Sequence, residues 1–228
     1  MVDLPLIVER PDDRMWFGDD GSLTDGRLWA EHDAQLRSET DRIGHDLREN
    51  LFGDDVWKTF EPGTRAFLAS GEASFRGRRH DPAFDFSAPA IAYAKAVETE
   101  INTLLFSRLR RFYGKGNPIG RHTTVDGKPM DLGDTVSHQT LGTIINLLQH
   151  NEDVKRGIRG AFVHTDVQWL LGELPHYLEP IARLRNPAAH SQRLSQNDAG
   201  KLREQTLGIG QEGLLVRIAR AKLRQLTA

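Results

Sequence analysis

Three observations predict an all-α protein. Apolar residues recur at helical rather than alternating spacing along most of the chain, caps and stops bracket several of those stretches, and turn-forming composition gathers in one segment, Lys115 to Gly133. At 228 residues the chain can bury a substantial core. With 38% apolar and 27% charged residues, and no uncharged apolar run of about 18 residues, it reads as globular and without a membrane span. The opening MVDLPLIVERPDDRMW has no basic start followed by an apolar core, so no secretory signal is read. Zero cysteines rule out disulfides and thiolate metal sites and fit a cytoplasmic location.

The first helix is predicted in TDGRLWAEHDAQLRSETDRIGHDLRENLFG. Its stripe is Trp29, Leu36, Ile43, Leu47 and Leu51, and Gly53 closes it. Two short helices broken at Pro62 follow, with Val56, Trp57, Phe60, Phe67 and Leu68 as the residues expected to be buried. FRGRRHDPAFDF reads as a loop. The longest helix is SAPAIAYAKAVETEINTLLFSRLRRFYG, in which Ser87 can cap, Pro89 suits the first turn and Gly114 stops the helix. Its core face is expected to be Ile91, Ala94, Val97, Ile101, Leu104, Leu105 and Phe112.

Residues 115–133 then form an irregular or hairpin insertion around VDGK. SHQTLGTIINLLQHN is a helix presenting Leu141, Ile144, Ile145 and Leu148, and a basic loop follows it. HTDVQWLLGELPHYLEPIARLR is a helix interrupted near Pro175. QEGLLVRIARAKLRQLTA is the last helix, packed through Leu214, Leu215, Ile218 and Leu223 with basic residues outside. Together these segments predict a helical bundle. The expected organisation is an acidic helical N-terminal region, 1–80, joined to a bundle, 81–228.

Charge is polarised along the chain although the net value is only -2. Residues 1–60 hold 15 acidic against 7 basic side chains, and residues 183–228 hold 9 basic against 3 acidic. The basic end contains ARLRNPAAHS. Asn186 before Pro187 is a helix-start pattern, with Asn as N-cap and Pro in the first turn. That start would place Arg185 and His190 on either side of a helix entry, where their side chains converge beside free backbone amides suited to a phosphate. Histidine can take and give a proton near neutrality, and arginine offers a fork for phosphoryl charge. Spacing alone is unspecific: Arg27/His32 and Arg159/His164 share it. An Asn-Pro helix start with a hydrogen-bonded histidine is equally consistent with capping alone.

RLRNPAAHS, late in a helical chain and ahead of a last helix, resembles the signature of the HEPN superfamily: Arg, a polar residue, three or more positions, then His. The long helix from Ser87 resembles that family's long first helix, so the resemblance covers roughly residues 85–226. It implies a HEPN-like bundle acting as a homodimer whose motifs face each other, and a metal-independent endoribonuclease of a prokaryotic toxin or anti-phage defence system. Carried over, Arg185 and His190 would be catalytic, supported by Asn186. RNA, including tRNA, would be cut by 2′-hydroxyl attack, leaving a 2′,3′-cyclic phosphate and a 5′-hydroxyl. An antitoxin or defence-complex protein is the partner implied. No cofactor and no metal is expected, since His138, His150 and His164 are scattered without ligand spacing. The other reading is a non-catalytic dimerisation or interaction module of a larger assembly, with residues 1–80 as a packing, inhibitory or docking arm.

Overall fold

The computed structural model describes residues 24–114, 119–125, 127–134, 138–189, 193–210 and 212–226. The fold is all-α, with one two-stranded antiparallel hairpin. Two compact units divide between Arg42 and Ile43. The first contains most of α1 (Thr24–Asp46), whose side chains from Ala30 to Arg42 are exposed apart from half-buried Thr40. Leu36, expected on the buried stripe, is 50% exposed. One apolar residue every seven is too sparse to form a face, and burial on this stripe begins at Ile43 and Leu47.

The second unit starts at Ile43, so residues 43–80, expected in a separate acidic region, belong to the same compact body as the bundle. A π-helical segment, Leu47–Phe52, continues α1 and stops at Gly53, whose φ of 76° suits glycine. Then come α2 (Asp54–Thr59) and α3 (Pro62–Arg78), with Pro62 in the first turn as expected. Phe52, Trp57 and Phe60 pack as an aromatic triad with centroids 5.0–6.0 Å apart. α3 takes in the first four residues of the stretch read as a loop, Phe75 to Arg78, because Phe75 is buried against Phe86, at 5.6 Å.

α4 (Ser87–Gly114) has the predicted bounds and is the central strut. It is buried on more than the expected face: Ala90, Tyr93, Ala96, Leu109 and Tyr113 join Ala94, Val97, Ile101, Leu104 and Leu105. It packs against α3 and against α6 (Glu152–Ala161), α8 (Leu174–Ala189), α9 (Gln196–Leu207) and α10 (Leu214–Leu226). Small residues around α4 let that many helices approach. The insertion is a hairpin, β1 (His122–Val125) paired with β2 (Lys128–Asp131), with Thr123 opposite Met130. Its Thr123 hydroxyl accepts from Asn151 Nδ2 at 2.8 Å, and Arg121 grips Asp131 at 2.7 and 2.8 Å. That guanidinium holds the Asp131 carboxyl down at about 2.

α5 (Leu141–His150) is capped by Thr140, and the segment before it is fixed by Asn102, whose amide exchanges two 2.8 Å hydrogen bonds with the Gln139 backbone. The basic loop expected next is α6 instead. Asn151 caps it, and Gly157 and Gly160 lie where α6 meets α4. A Cβ on Gly157 would stand 2.5 Å from Leu109 Cδ2, and one on Gly160 would strike the Phe112 ring. These glycines are there for close approach rather than for a turn.

α7 (His164–Gln168) passes through a π-helical segment, Trp169–Glu173, into α8. The Leu174 amide reaches back to the Trp169 carbonyl, widening the turn just ahead of Pro175, so the expected interruption is a bulge rather than a break. α9 is capped by Ser195, whose hydroxyl accepts from the Asp198 amide, and ends at Gly208 with φ 91°.

Three buried carboxylates tie the helices together. Glu72 accepts from Tyr93 Oη at 2.7 Å, Arg76 Nε at 2.7 Å and Arg203 Nη2 at 2.8 Å. Burial opposes its ionisation, but the donors from Arg203, Tyr93 and Arg76 outweigh that and hold the carboxyl below its ordinary value. Glu100 takes Lys222 Nζ at 2.5 Å and the Glu61 amide at 2.8 Å. Asp166 accepts from Arg224 Nε at 3.0 Å. Among the described residues no helix is long and apolar enough to cross a membrane.

Candidate functional site

Arg185 and Asn186 lie on α8, which runs unbroken from Leu174 to Ala189. Asn186 is therefore not an N-cap, and the expected helix entry is not there. Leu174, Leu178 and Ile181 are fully buried and Leu184 packs against the same core, a stripe spaced four, three and three. That burial, about 1.5–3 kcal/mol per large side chain, outweighs the local preference of an Asn-Pro pair for extended backbone. The next helix begins nine residues later, at the Ser195 cap.

This placement changes the local electrostatics. Arg185 and Asn186 sit toward the carbonyl end of a helix, which carries partial negative charge, instead of at free amides. Any phosphate here would depend on side chains. Arg185 is half-buried, and its Nη1 lies 3.5 Å from Asn186 Oδ1 on an exposed neighbour. Among the described residues no carboxylate lies within ion-pair distance of Arg185. His190 lies outside the described residues, so its meeting with Arg185 is not part of the geometry.

Beyond the motif the described chain resumes at Arg193 and is held firmly. Arg193 donates to the carbonyls of Pro82 and Ala83. The Leu194 carbonyl accepts from the Phe86 amide at 3.2 Å, and the Leu194 amide donates to Asp85 Oδ1 at 3.1 Å. Asp85 also takes the Ser87 hydroxyl at 2.7 Å and the Ser87 amide at 3.0 Å, and these bonds hold its carboxyl below the ordinary value. The start of α4, expected to be capped by Ser87, is thus organised by Asp85, two residues earlier.

The other histidines have ordinary surroundings. His164 Nε2 lies 3.0 Å from Gln168 Nε2, and His138 Nδ1 lies 3.8 Å from Glu98 Oε1. Among the described residues no group of three or more His, Asp or Glu side chains could hold a metal.

The basic C-terminal end reads differently in three dimensions. Four cations of α10, expected to line a solvent face, are engaged by carboxylates: Arg217 by Glu173 at 2.9 Å, Arg220 by Glu212, Lys222 by Glu100 and Arg224 by Asp166. The Arg217 guanidinium also lies over the Trp169 and Tyr177 rings, at 5.3 and 5.2 Å from their centroids.

A cleft of about 550 Å³ opens between α2, α4 and α10. Leu104 and Leu223 form apolar wall, with Arg108, Arg111, Lys58 and Lys222 around it and Asp55 and Glu61 at one side. The signal for it was present as three arginines in SRLRRF, but the periodicity of α4 identifies only its core face. Comparison of the chain with protein-family models, curated proteins and solved structures finds no match.

Proposed function

We propose that this chain is a metal-independent endoribonuclease of a prokaryotic defence or toxin-type system, working as a homodimer through Arg185, Asn186 and His190. One structural observation supports the reading: Arg185 stands at the end of α8 beside an exposed amide and with no carboxylate pair among the described residues. Its fork is therefore available to a phosphodiester, whereas each of the α10 cations Arg217, Arg220, Lys222 and Arg224 has a carboxylate partner.

In this reaction the RNA 2′-hydroxyl loses its proton to an imidazole and its oxygen attacks the adjacent phosphorus. The bond to the 5′ oxygen breaks, a second imidazole protonates that oxygen, and a 2′,3′-cyclic phosphate and a 5′-hydroxyl remain. Arg185 stabilises the equatorial oxygens of the phosphorane, and Asn186 orients the guanidinium. Two subunits supply the two imidazoles from two copies of His190.

The test is cleavage of total RNA and tRNA in EDTA by wild type, His190→Ala and Arg185→Ala, with analysis of the product ends. Cyclic-phosphate ends from wild type alone, with all three proteins folded, are the expected result. Equal cleavage by all three, or none by wild type, overturns the catalytic reading.

A second reading, a non-catalytic interaction module, is favoured by a different observation. The basic end offers no row of uncompensated cations on α10 to track an RNA backbone. Partner binding that survives Arg185→Ala, without RNA cleavage by wild type, is its expected signature.

A further inference from the structure

We infer that the cleft between α2, α4 and α10 binds a short zwitterionic peptide, two or three residues long with free ends, whose carboxylate meets Arg111 and whose ammonium meets Asp55. The inference is independent of the ribonuclease reading. The cleft's volume of about 550 Å³ lies within the range of small-molecule sites, and its apolar wall is set among polar groups, as in such sites.

The ligand is selected by the polar groups that remain once the fold's own bonds are subtracted. Lys222 Nζ is taken up by three acceptors, Glu100 Oε2 at 2.5 Å, Glu61 Oε1 at 3.5 Å and the Thr59 carbonyl at 3.4 Å. Lys58 is paired with Asp54, which also receives Arg48, and Arg108 has an interaction of its own. None of these three cations counts toward a ligand. Two charged side chains of the lining remain: Asp55, exposed in the first turn of α2, and Arg111, exposed in the last turn of α4. Neither side chain has an ion-pair partner among the described residues, and they do not pair with each other, so they face one cleft from beyond ion-pair distance. A simple anion answers only one of them. A molecule with a carboxylate at one end and an ammonium at the other answers both, Arg111 through its planar fork and Asp55 as an acceptor.

The uncharged groups narrow the class. Thr59 Oγ1 donates to the Val56 carbonyl at 2.7 Å, and Ser107 Oγ donates to the Thr103 carbonyl at 2.5 Å. Each hydroxyl has used its one proton and offers the cleft only lone pairs. The walls therefore present acceptors, which suit the N–H groups of a peptide as well as its ammonium. Leu104 and Leu223 give apolar side chains a surface, and a site of this volume holds molecules larger than one amino acid.

Titration calorimetry and thermal melting of the full chain test this with leucyl-leucine, alanyl-leucyl-alanine, free leucine, and leucyl-leucine blocked either by acetylation of its amine or as its carboxyl amide. The expected result is saturable binding of one or both free-ended peptides, one per chain, with a raised melting temperature. Each blocked form should bind at least about tenfold more weakly. Asp55→Asn should bind free and acetylated leucyl-leucine alike, and Arg111→Gln should bind the free and amidated forms alike, which assigns each end to its partner. Both substitutions fall on exposed side chains and should leave the fold intact. Ser107→Trp, at an exposed position on the cleft wall, should block binding. Four results overturn the proposal: a blocked peptide bound as tightly as the free one, leucine bound as tightly as the peptides, variants that discriminate as wild type does, or no free-ended peptide bound at about 1 mM by the folded wild-type protein.

Discussion

Glu72 and Arg185 mark two opposite uses of charge in one bundle. Around Glu72 two arginines and a tyrosine converge on a carboxylate with no solvent exposure, joining α3, α4 and α9. At the end of α8, Arg185 has the Asn186 side-chain amide next to it and no ion-pair partner among the described residues. Both regions are arginine-rich in sequence, yet one is closed by its own counter-charge and the other is open. A cation is free to meet an outside anion where the fold gives it no carboxylate of its own. On α10 the fold supplies those carboxylates, and at Arg185 none lies within ion-pair distance among the described residues.

The sharpest way to break this contrast is Glu72→Ala, which strands Arg203, Arg76 and the Tyr93 hydroxyl. A loss of about 3–5 kcal/mol in denaturant unfolding is expected. A change below about 1 kcal/mol would mean the network is not a joint. Next comes Gly157→Val, which drives a branched side chain into Leu109 and Tyr113 and should cost about 1–3 kcal/mol, read as a lowered melting temperature.

Acid should act on the closed region. Because the Glu72 carboxyl is held below its ordinary value of 4.5, its ionisation stabilises the fold above that pH and the contribution is lost as pH falls through its lowered pKa. Chemical denaturation of wild type from pH 6 to pH 3 should show this decline, and Glu72→Gln should flatten it. The smallest stability effect belongs to Arg185→Ala, within about 0.5 kcal/mol of wild type. Under the ribonuclease proposal the same substitution removes cleavage, so unaltered stability with lost activity separates the open region from the closed one.

What could be read in the sequence follows the physics of each segment. The bounds of α4 were legible because a serine-proline start, a continuous apolar pattern and a final glycine all agree. The insertion at VDGK was legible from its turn-forming composition as irregular or a hairpin, and pairing of β1 with β2 across Gly127, φ 76°, makes it the hairpin. α6 was not, since Gly157 and Gly160 have the same letter whether they end a helix or admit a neighbour. α9 carried a readable Ser195-x-x-Asp198 start, but the Asn186-Pro187 pair competed with it from nine residues earlier. Pro175, Pro180 and Pro187 all lie within α8, because the Leu174–Leu178–Ile181–Leu184 stripe has a core to meet, which no local pattern reports. Arg185 was legible as a candidate by residue type, while the carboxylates that engage the α10 cations lie up to 122 residues away.

The Asp85 clamp has a consequence in time as well as in space. The peptide leading out of the motif is fastened to the start of α4 by a hydrogen bond across 109 residues of chain. A chain growing from its N-terminus can form α4 early, but it cannot close that clasp until Leu194 has been made and has travelled back to Asp85. Long-range closure of this kind comes late in folding. An incomplete copy ending before Leu194 therefore carries the letters of Arg185 and Asn186 without the anchor behind them.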